Sequence, residues 1–251
     1  MPFRVVIPAR HASTRLPGKP LADIGGRPML AHVYRRAVAS GADEVIVATD
    51  DERIAAAARA FGAAVETTSA AHESGTDRLA EVAVRRGWPD DAIVVNVQGD
   101  EPLIPPANIR QVAELLAADP AAGIATLATP VTSLGEFLDP DVVKVVWSDG
   151  GRALYFSRAP IPWSREGAGA GFASQREFAG AWRHIGLYAY RGGALRRFAA
   201  APVAALERIE RLEQLRALEL GLVIVVAEAR ELPGPHVDTP EHLAAVRRLM
   251  G

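Results

Sequence analysis

The stretch FRVVIPARHASTRLPGK, residues 3–19, decides the architecture. Its opening residues 3–7 are a short, mostly apolar run, and Pro8 leaves no room for a helix, so they read as a buried strand. Three fixed cations, Arg10, Arg15 and Lys19, follow within ten residues, with Ala9, Ala12, Ser13, Thr14 and Gly18 between them. Ligands of open α/β sheets bind beyond the carboxyl ends of the strands. A loop of small and basic residues at that place brings backbone N–H groups and cations onto a polyphosphate. Taken alone, a basic loop is usually solvated surface, but its position behind the first strand favours the phosphate reading. The spacing matches neither G-x-x-x-x-G-K-[ST] nor G-x-G-x-x-G, which excludes a Walker A loop and a dinucleotide fingerprint.

Beyond this loop, helix and strand signals alternate. Residues 29–39 carry apolar side chains near helical spacing, and EVIVAT, residues 44–49, reads as a second strand. Asp50 and Asp51 cap a helix running to about residue 61. A short strand at 63–67, a helix at 74–86, a strand at 92–97 and a helix opened by Pro105-Pro106 follow. The pattern predicts an α/β fold with a mostly parallel central sheet flanked by helices. The second half is less regular. Strands are expected at 123–128, 142–147, 153–156, 183–190 and 222–227, with a Gly/Ala/Ser-rich loop at 163–182. One charged helix is expected over 205–219, with i,i+4 pairs Glu207–Arg211 and Glu210–Gln214 on its surface. A closing helix spans 240–250, N-capped by Thr239. No linker divides the chain, so residues 1–251 read as a single domain with a less regular part at about 130–220.

Composition narrows the function classes. Of 251 residues 49% are hydrophobic, and 28 basic residues face 30 acidic ones for a net charge of −2. That balance argues against a protein gripping nucleic acid by bulk electrostatics. The chain has no cysteine, which excludes a disulfide framework, a thiolate metal site and a cysteine nucleophile. No apolar run reaches the roughly 18 residues of a membrane span, and the N-terminal run is too short for a signal peptide. A cytoplasmic location is the expectation. Lys19 and Lys144 are the only lysines in an Arg-rich chain, which suggests that an ammonium is needed at each.

Two carboxylates stand out. Asp100, in Asn96-Val97-Gln98-Gly99-Asp100-Glu101-Pro102, lies where a buried strand ends. It serves either a turn or a Mg²⁺ that takes one or two carboxylates together with phosphate oxygens and water. Asp238, just before the closing helix, either supports the helix dipole or supplies the second carboxylate.

The motifs PARHASTRLPGKPLADIGGRPML, IVATDD, HESGTDRLAE, VNVQGDEPLIP, VKVV, ALYFSRAPIPW, RHIGLYAYR, ERIERLEQLR and PGPHVDTPEHL occur in this order. Together they resemble the 3-deoxy-manno-octulosonate cytidylyltransferases, also called CMP-Kdo synthetases. The resemblance runs from Phe3 to about Arg247, except across residues 164–181. It implies a single nucleotidyltransferase domain of glycosyltransferase-A-like fold, a homodimer that uses Mg²⁺ and transfers CMP from CTP to the sugar acid Kdo. A cytidylyltransferase for 8-amino-Kdo or sialic acid, and a non-catalytic nucleotide-sensing domain, are the alternatives. By the same resemblance, Pro8, Ala9 and Arg10 lie against the cytidine, and Arg10, Ser13, Arg15 and Lys19 hold the triphosphate. Ser74, Gly75 and Thr76 enclose the nucleotide, while Arg78 and Gln98 reach the sugar acid. His184, Tyr188, Glu210 and Gln214 line its pocket, with Arg158 close by. Asp100 and Asp238 carry the metal, and Arg10, Lys19 and Asp100 are the catalytic set. The chain departs from the family pattern at His11, Ala205 and Arg208, where tyrosine, proline and histidine are usual.

Overall fold

In the computed structural model, which describes residues 1–11, 16–72, 74–166 and 176–250, the opening run is strand β1 (Arg4–Ala9), inside a nine-stranded sheet. A one-turn 3-10 helix (Lys19–Leu21) and a small hairpin, β2 (Asp23–Ile24) with β3 (Arg27–Pro28), complete the following loop. The large sheet continues with β4 (Glu44–Thr49), β5 (Ala64–Thr67), β6 (Ile93–Asn96), β7 (Ile124–Pro130), β8 (Lys144–Trp147), β9 (Ala153–Ser157), β10 (Trp182–Arg191) and β11 (Ile224–Glu228). Its order is β11-β7-β10-β6-β1-β4-β5, and the β8–β9 pair hangs from β10.

Alternation along the strands creates two cores. Val5, Ile7, Val45, Val47 and Val95 meet α1 (Met29–Ala39), α2 (Glu52–Ala60) and α4 (Pro106–Ala118) on one face. Val6, Ile46, Ala48 and Val94 meet α3 (Gly75–Arg85) on the other. The helices α5 (Leu134–Leu138), α6 (Gly192–Ala199), α7 (Ala205–Glu210), α8 (Gln214–Glu219) and α9 (Pro240–Met250) follow. Of these, α6 and α8 join α3 on the second face through Leu195, Phe198 and Leu215. Both predicted caps form: Asp51 accepts from the N–H groups of Arg53 and Ile54, and Thr239 from that of His242.

Three features differ from the expectation. The sheet is mostly parallel, yet β10 runs antiparallel between β6 and β7. A period-two pattern reads the same in either direction, so residue order alone could not reveal this. The helix expected over 205–219 is broken: Arg211 adopts φ 53°, and α7 and α8 are separate short helices. Its surface pairs give way to a buried one, with Arg216 Nη2 2.6 Å from Glu207 Oε1 across the break. Finally, α6 was hidden by its Gly192-Gly193 start, which carries no helical signal.

Lys144 is committed to the interior. The Lys144 side chain is wholly buried, and its ammonium donates to the carbonyl oxygens of Asp139, Val142 and Arg158 at 2.8, 2.5 and 2.7 Å. Three donors thus meet three acceptors, which fixes the backbone at Arg158.

Candidate active site

At the C-terminal ends of β1 and β6, Lys19 Nζ lies 2.6 Å from Asp100 Oδ2 and 3.0 Å from Asp238 Oδ1. The three side chains are only 16–27% exposed. Residues 81 and 219 positions apart are therefore gathered at one point. Gly18 turns the chain into the 3-10 helix with φ 70°, a conformation open to glycine at no steric cost. A small core of Ile24, Met29, Val237, Leu243 and Val246, with Leu16 packed on it, clamps the loop to the chain before α9. The Val237 N–H donates to the Asp100 carbonyl at 2.9 Å, which brings Asp238 alongside.

The electrostatics follow from this packing. Burial alone would lower the Lys19 pKa, but the charges and hydrogen bonds of Asp100 and then Asp238 outweigh it and raise it above the ordinary value. Loss of solvation and the neighbouring Asp100 push Glu101 up to about 7. His236 Nε2 lies 3.4 Å from Asp238 Oδ2, and this contact raises the imidazole pKa. Sequence reading singled out neither residue. His236 stands two places before a chosen aspartate, but nothing in the sequence orients its ring.

Gly99 explains how the Asp100 turn reaches β1. A Cβ there would lie 3.0 Å from the Pro8 carbonyl oxygen. A Gly99→Ala change should displace the turn and lower kcat/KM by roughly tenfold, since misplacing catalytic groups by about 1 Å costs up to 10²-fold. Steady-state kinetics beside a melting curve would check this. An unchanged rate would show that the close approach does not matter.

The remaining expected residues fall into three groups. Pro8 and Ala9 are buried at the end of β1, and Arg10 is exposed there on the wall of a cleft of about 1500 Å³ beside α3. Gly75 packs against Pro8, so these two parts of the nucleotide reading are adjacent, and Gln98, expected at the sugar acid, lies close by. Ser13 and Arg15 lie outside the described residues, as does part of the 164–181 loop.

A second group braces the site. Ser74 caps α3 and shares a capping box with Asp77. Thr76 donates to Glu213 Oε2 at 2.8 Å. Arg78, expected to reach the sugar acid, has its guanidinium buried against Thr68 Oγ1 at 2.7 Å and Asp50 Oδ2 at 3.0 Å. It ties α3 to the ends of β4 and β5. Glu210, expected to line the sugar pocket, accepts a hydrogen bond at each of its oxygens within the chain. Ser157 Oγ donates at 2.6 Å and the Arg158 N–H at 2.9 Å. Arg158 in turn donates to the Glu210 carbonyl at 2.7 Å. The break after α7 turns Glu210 towards β9, which a continuous surface helix would not do.

The third group is a wall on β10. Tyr188 and Tyr190 share a face, as alternation requires, with ring centroids 5.8 Å apart. The His184 ring is tilted 49° against that of Tyr188 with centroids 5.2 Å apart, and burial pushes its pKa down to about 3, so the ring is neutral. The Tyr188 hydroxyl and Asn96 Oδ1, on register partners, are buried without a hydrogen-bond partner among the described residues. Such orphans are rare in native interiors and mark places where water or a ligand completes the bonding. Gln214 is buried at the start of α8, whose Leu215 packs on the same face of the sheet.

The family profile described as Cytidylyltransferase matches residues 4–225. The chain belongs to the cytidylyltransferase family. Among its relatives, a "3-deoxy-manno-octulosonate cytidylyltransferase" of Halorhodospira halophila is 58% identical over 247 residues, 98% of this chain and 96% of the relative. One of the same name from Thioalkalivibrio sulfidiphilus is 55% identical over 250 residues, 100% of this chain and 99% of the relative. A solved structure of a CMP:2-keto-3-deoxy-manno-octonic acid synthetase complexed with CTP superposes with a TM-score of 0.89 at 44% identity, covering 100% of this chain and 98% of that one. A 4-diphosphocytidyl-2C-methyl-D-erythritol synthase shares the fold at a TM-score of 0.65 and 15% identity. The chain is thus a nucleotidyltransferase.

Proposed function

We propose that the protein transfers CMP from CTP to 3-deoxy-D-manno-octulosonate, giving CMP-Kdo and pyrophosphate for lipopolysaccharide biosynthesis. The observation that carries the reading is Lys19 Nζ held between Asp100 and Asp238 at the end of β1. Full-length relatives named 3-deoxy-manno-octulosonate cytidylyltransferase support it. The anomeric hydroxyl oxygen of Kdo forms a bond to the α-phosphorus, the bond to pyrophosphate breaks, and the hydroxyl proton leaves to solvent. Two anions must meet for this, and unit charges 4 Å apart repel by roughly 4 kcal/mol at an effective dielectric of about 20. Lys19 and Arg10 offset that repulsion and hold the triphosphate in line.

Asp100 and Asp238 would hold Mg²⁺, which supplies positive charge against the phosphate oxygens. The donor set suits it. Among the described residues no group of three or more His, Asp or Glu side chains could form a protein-only cage. Two carboxylates completed by phosphate and water are the usual Mg²⁺ arrangement. A homodimer is part of the same reading, supported by the apolar side chains of Leu206 and Ile209, 43% and 77% exposed on α7. No helix among the described residues is long and apolar enough to cross a membrane, and the cytoplasm, where CTP is at hand, is the proposed location.

A coupled pyrophosphate assay decides the substrate. CTP with Kdo should turn over at least roughly 10²-fold faster than CTP with sialic acid, since a site built for specific hydroxyls rejects a misfitting sugar strongly. Chelation should stop the reaction and Mg²⁺ restore it. Turnover with sialic acid and none with Kdo would overturn the reading.

A further inference from the structure

Strands β7 and β10 pair with a register shift: Ile185 stands opposite Leu127, whereas Tyr188 stands opposite Thr126. Strand β10 thus advances three residues where β7 advances one, and Gly186 and Leu187 form a bulge. Bulges re-aim the side chains around them. Here Thr126, wholly buried, fills the irregularity. Its Oγ1 lies 3.1 Å from the Ile185 carbonyl oxygen, 2.8 Å from that of Leu187 and 3.0 Å from His184 Nε2.

Those three contacts fix a proton. A hydroxyl has one hydrogen, and carbonyl oxygens only accept. The Thr126 hydrogen therefore goes to the carbonyls of the bulge, and the imidazole must donate from Nε2 to Oγ1. The His184 ring is neutral, so its other nitrogen, Nδ1, keeps a lone pair. The Tyr188 ring packs against the His184 ring at 5.2 Å between centroids, and its hydroxyl is buried and without a partner among the described residues. An acceptor and an unsatisfied phenol on two packed rings suit a polyhydroxylated ligand.

We propose that Thr126 is a positioning residue for the sugar-acid pocket: it holds His184 as the Nε2–H tautomer, so that Nδ1 accepts a hydrogen bond from a hydroxyl of the sugar acid. The assignment of the ligand rests on the function proposed above, whereas the tautomer does not. Thr126 touches no substrate and acts only through His184.

The test has two readouts. In unliganded protein labelled with ¹⁵N at histidine, NMR should report His184 protonated at Nε2. Thr126→Val keeps the shape and removes the hydroxyl. It should abolish the tautomer preference and raise KM for the sugar acid roughly 5–20-fold, leaving KM for CTP within about twofold, in line with loss of one positioned hydrogen bond. Thr126→Ser should restore both. Wild-type His184 found as the Nδ1–H form or as imidazolium overturns the proposal, and so does a valine variant that keeps the Nε2–H form and the wild-type KM. If the valine variant does not fold, the wild-type spectrum and the serine variant decide. The spectrum needs no substrate, so a failure of the Kdo reading is seen in the assay and a failure of the tautomer is seen in the NMR.

Discussion

Asp100→Asn lowers kcat by roughly 10³-fold, while CTP still binds when calorimetry is run without divalent metal. The change keeps the size of the side chain and removes one of the two carboxylates on Lys19 Nζ. Removing one preorganised electrostatic group from a catalytic site typically costs 10²–10³-fold. In the proposed reaction Asp100 would also hold Mg²⁺, and losing that carboxylate would add to this. Lys19 remains paired with Asp238 at 3.0 Å, so the fold should tolerate the change. Saturating-substrate pyrophosphate release is the measurement, with a melting curve as control. A kcat within fivefold of wild type would remove Asp100 from the machinery and with it the central element of the proposed reaction.

The largest stability effect belongs to the ion pair that spans the break between α7 and α8. Arg216 Nη2 and Nε reach the two Glu207 oxygens at 2.6 and 2.8 Å, with both side chains under 10% exposed. Burial alone would lower the Arg216 pKa, but the hydrogen bonds and charge of Glu207 outweigh it and raise it. The guanidinium also stands 4.3 Å over the Phe198 ring, which joins α6 to the arrangement. Glu207→Leu leaves this buried cation without its bidentate carboxylate, which costs about 3–5 kcal/mol. Denaturant unfolding should show that loss. The double change Glu207→Leu/Arg216→Met should recover most of it, because well-packed apolar pairs often replace buried ion pairs without loss. A single variant as stable as wild type would show that the pair contributes nothing to holding the break.

The consequence for the site is indirect. The same break carries Glu210 towards Ser157 and Arg158, and Glu213 towards Thr76. A helix uninterrupted from 205 to 219 would have placed these carboxylates on a solvated face. The charge pattern ERIERLEQLR is compatible with both arrangements. Only packing against β9 and α3 distinguishes them, and that packing is non-local. Arg78 is a similar case. A lone arginine after Asp77 carries no sign that Thr68, Ser69 and Asp50 will close around it.

What the sequence by itself determined is the alternation of strands and helices, the basic loop behind β1, the helix caps at Asp51 and Thr239, and the candidacy of Lys19, Asp100 and Asp238. Each of these rests on local chemistry: period, turn residues, or charge density over a few positions. The tertiary structure alone decided that Asp100 and Asp238 meet on one ammonium, that β10 runs antiparallel, and that the charged helix breaks at Arg211. Those outcomes depend on contacts between residues far apart in the chain. Burial and hydrogen-bond satisfaction across the whole fold select among arrangements that local patterns leave equally open.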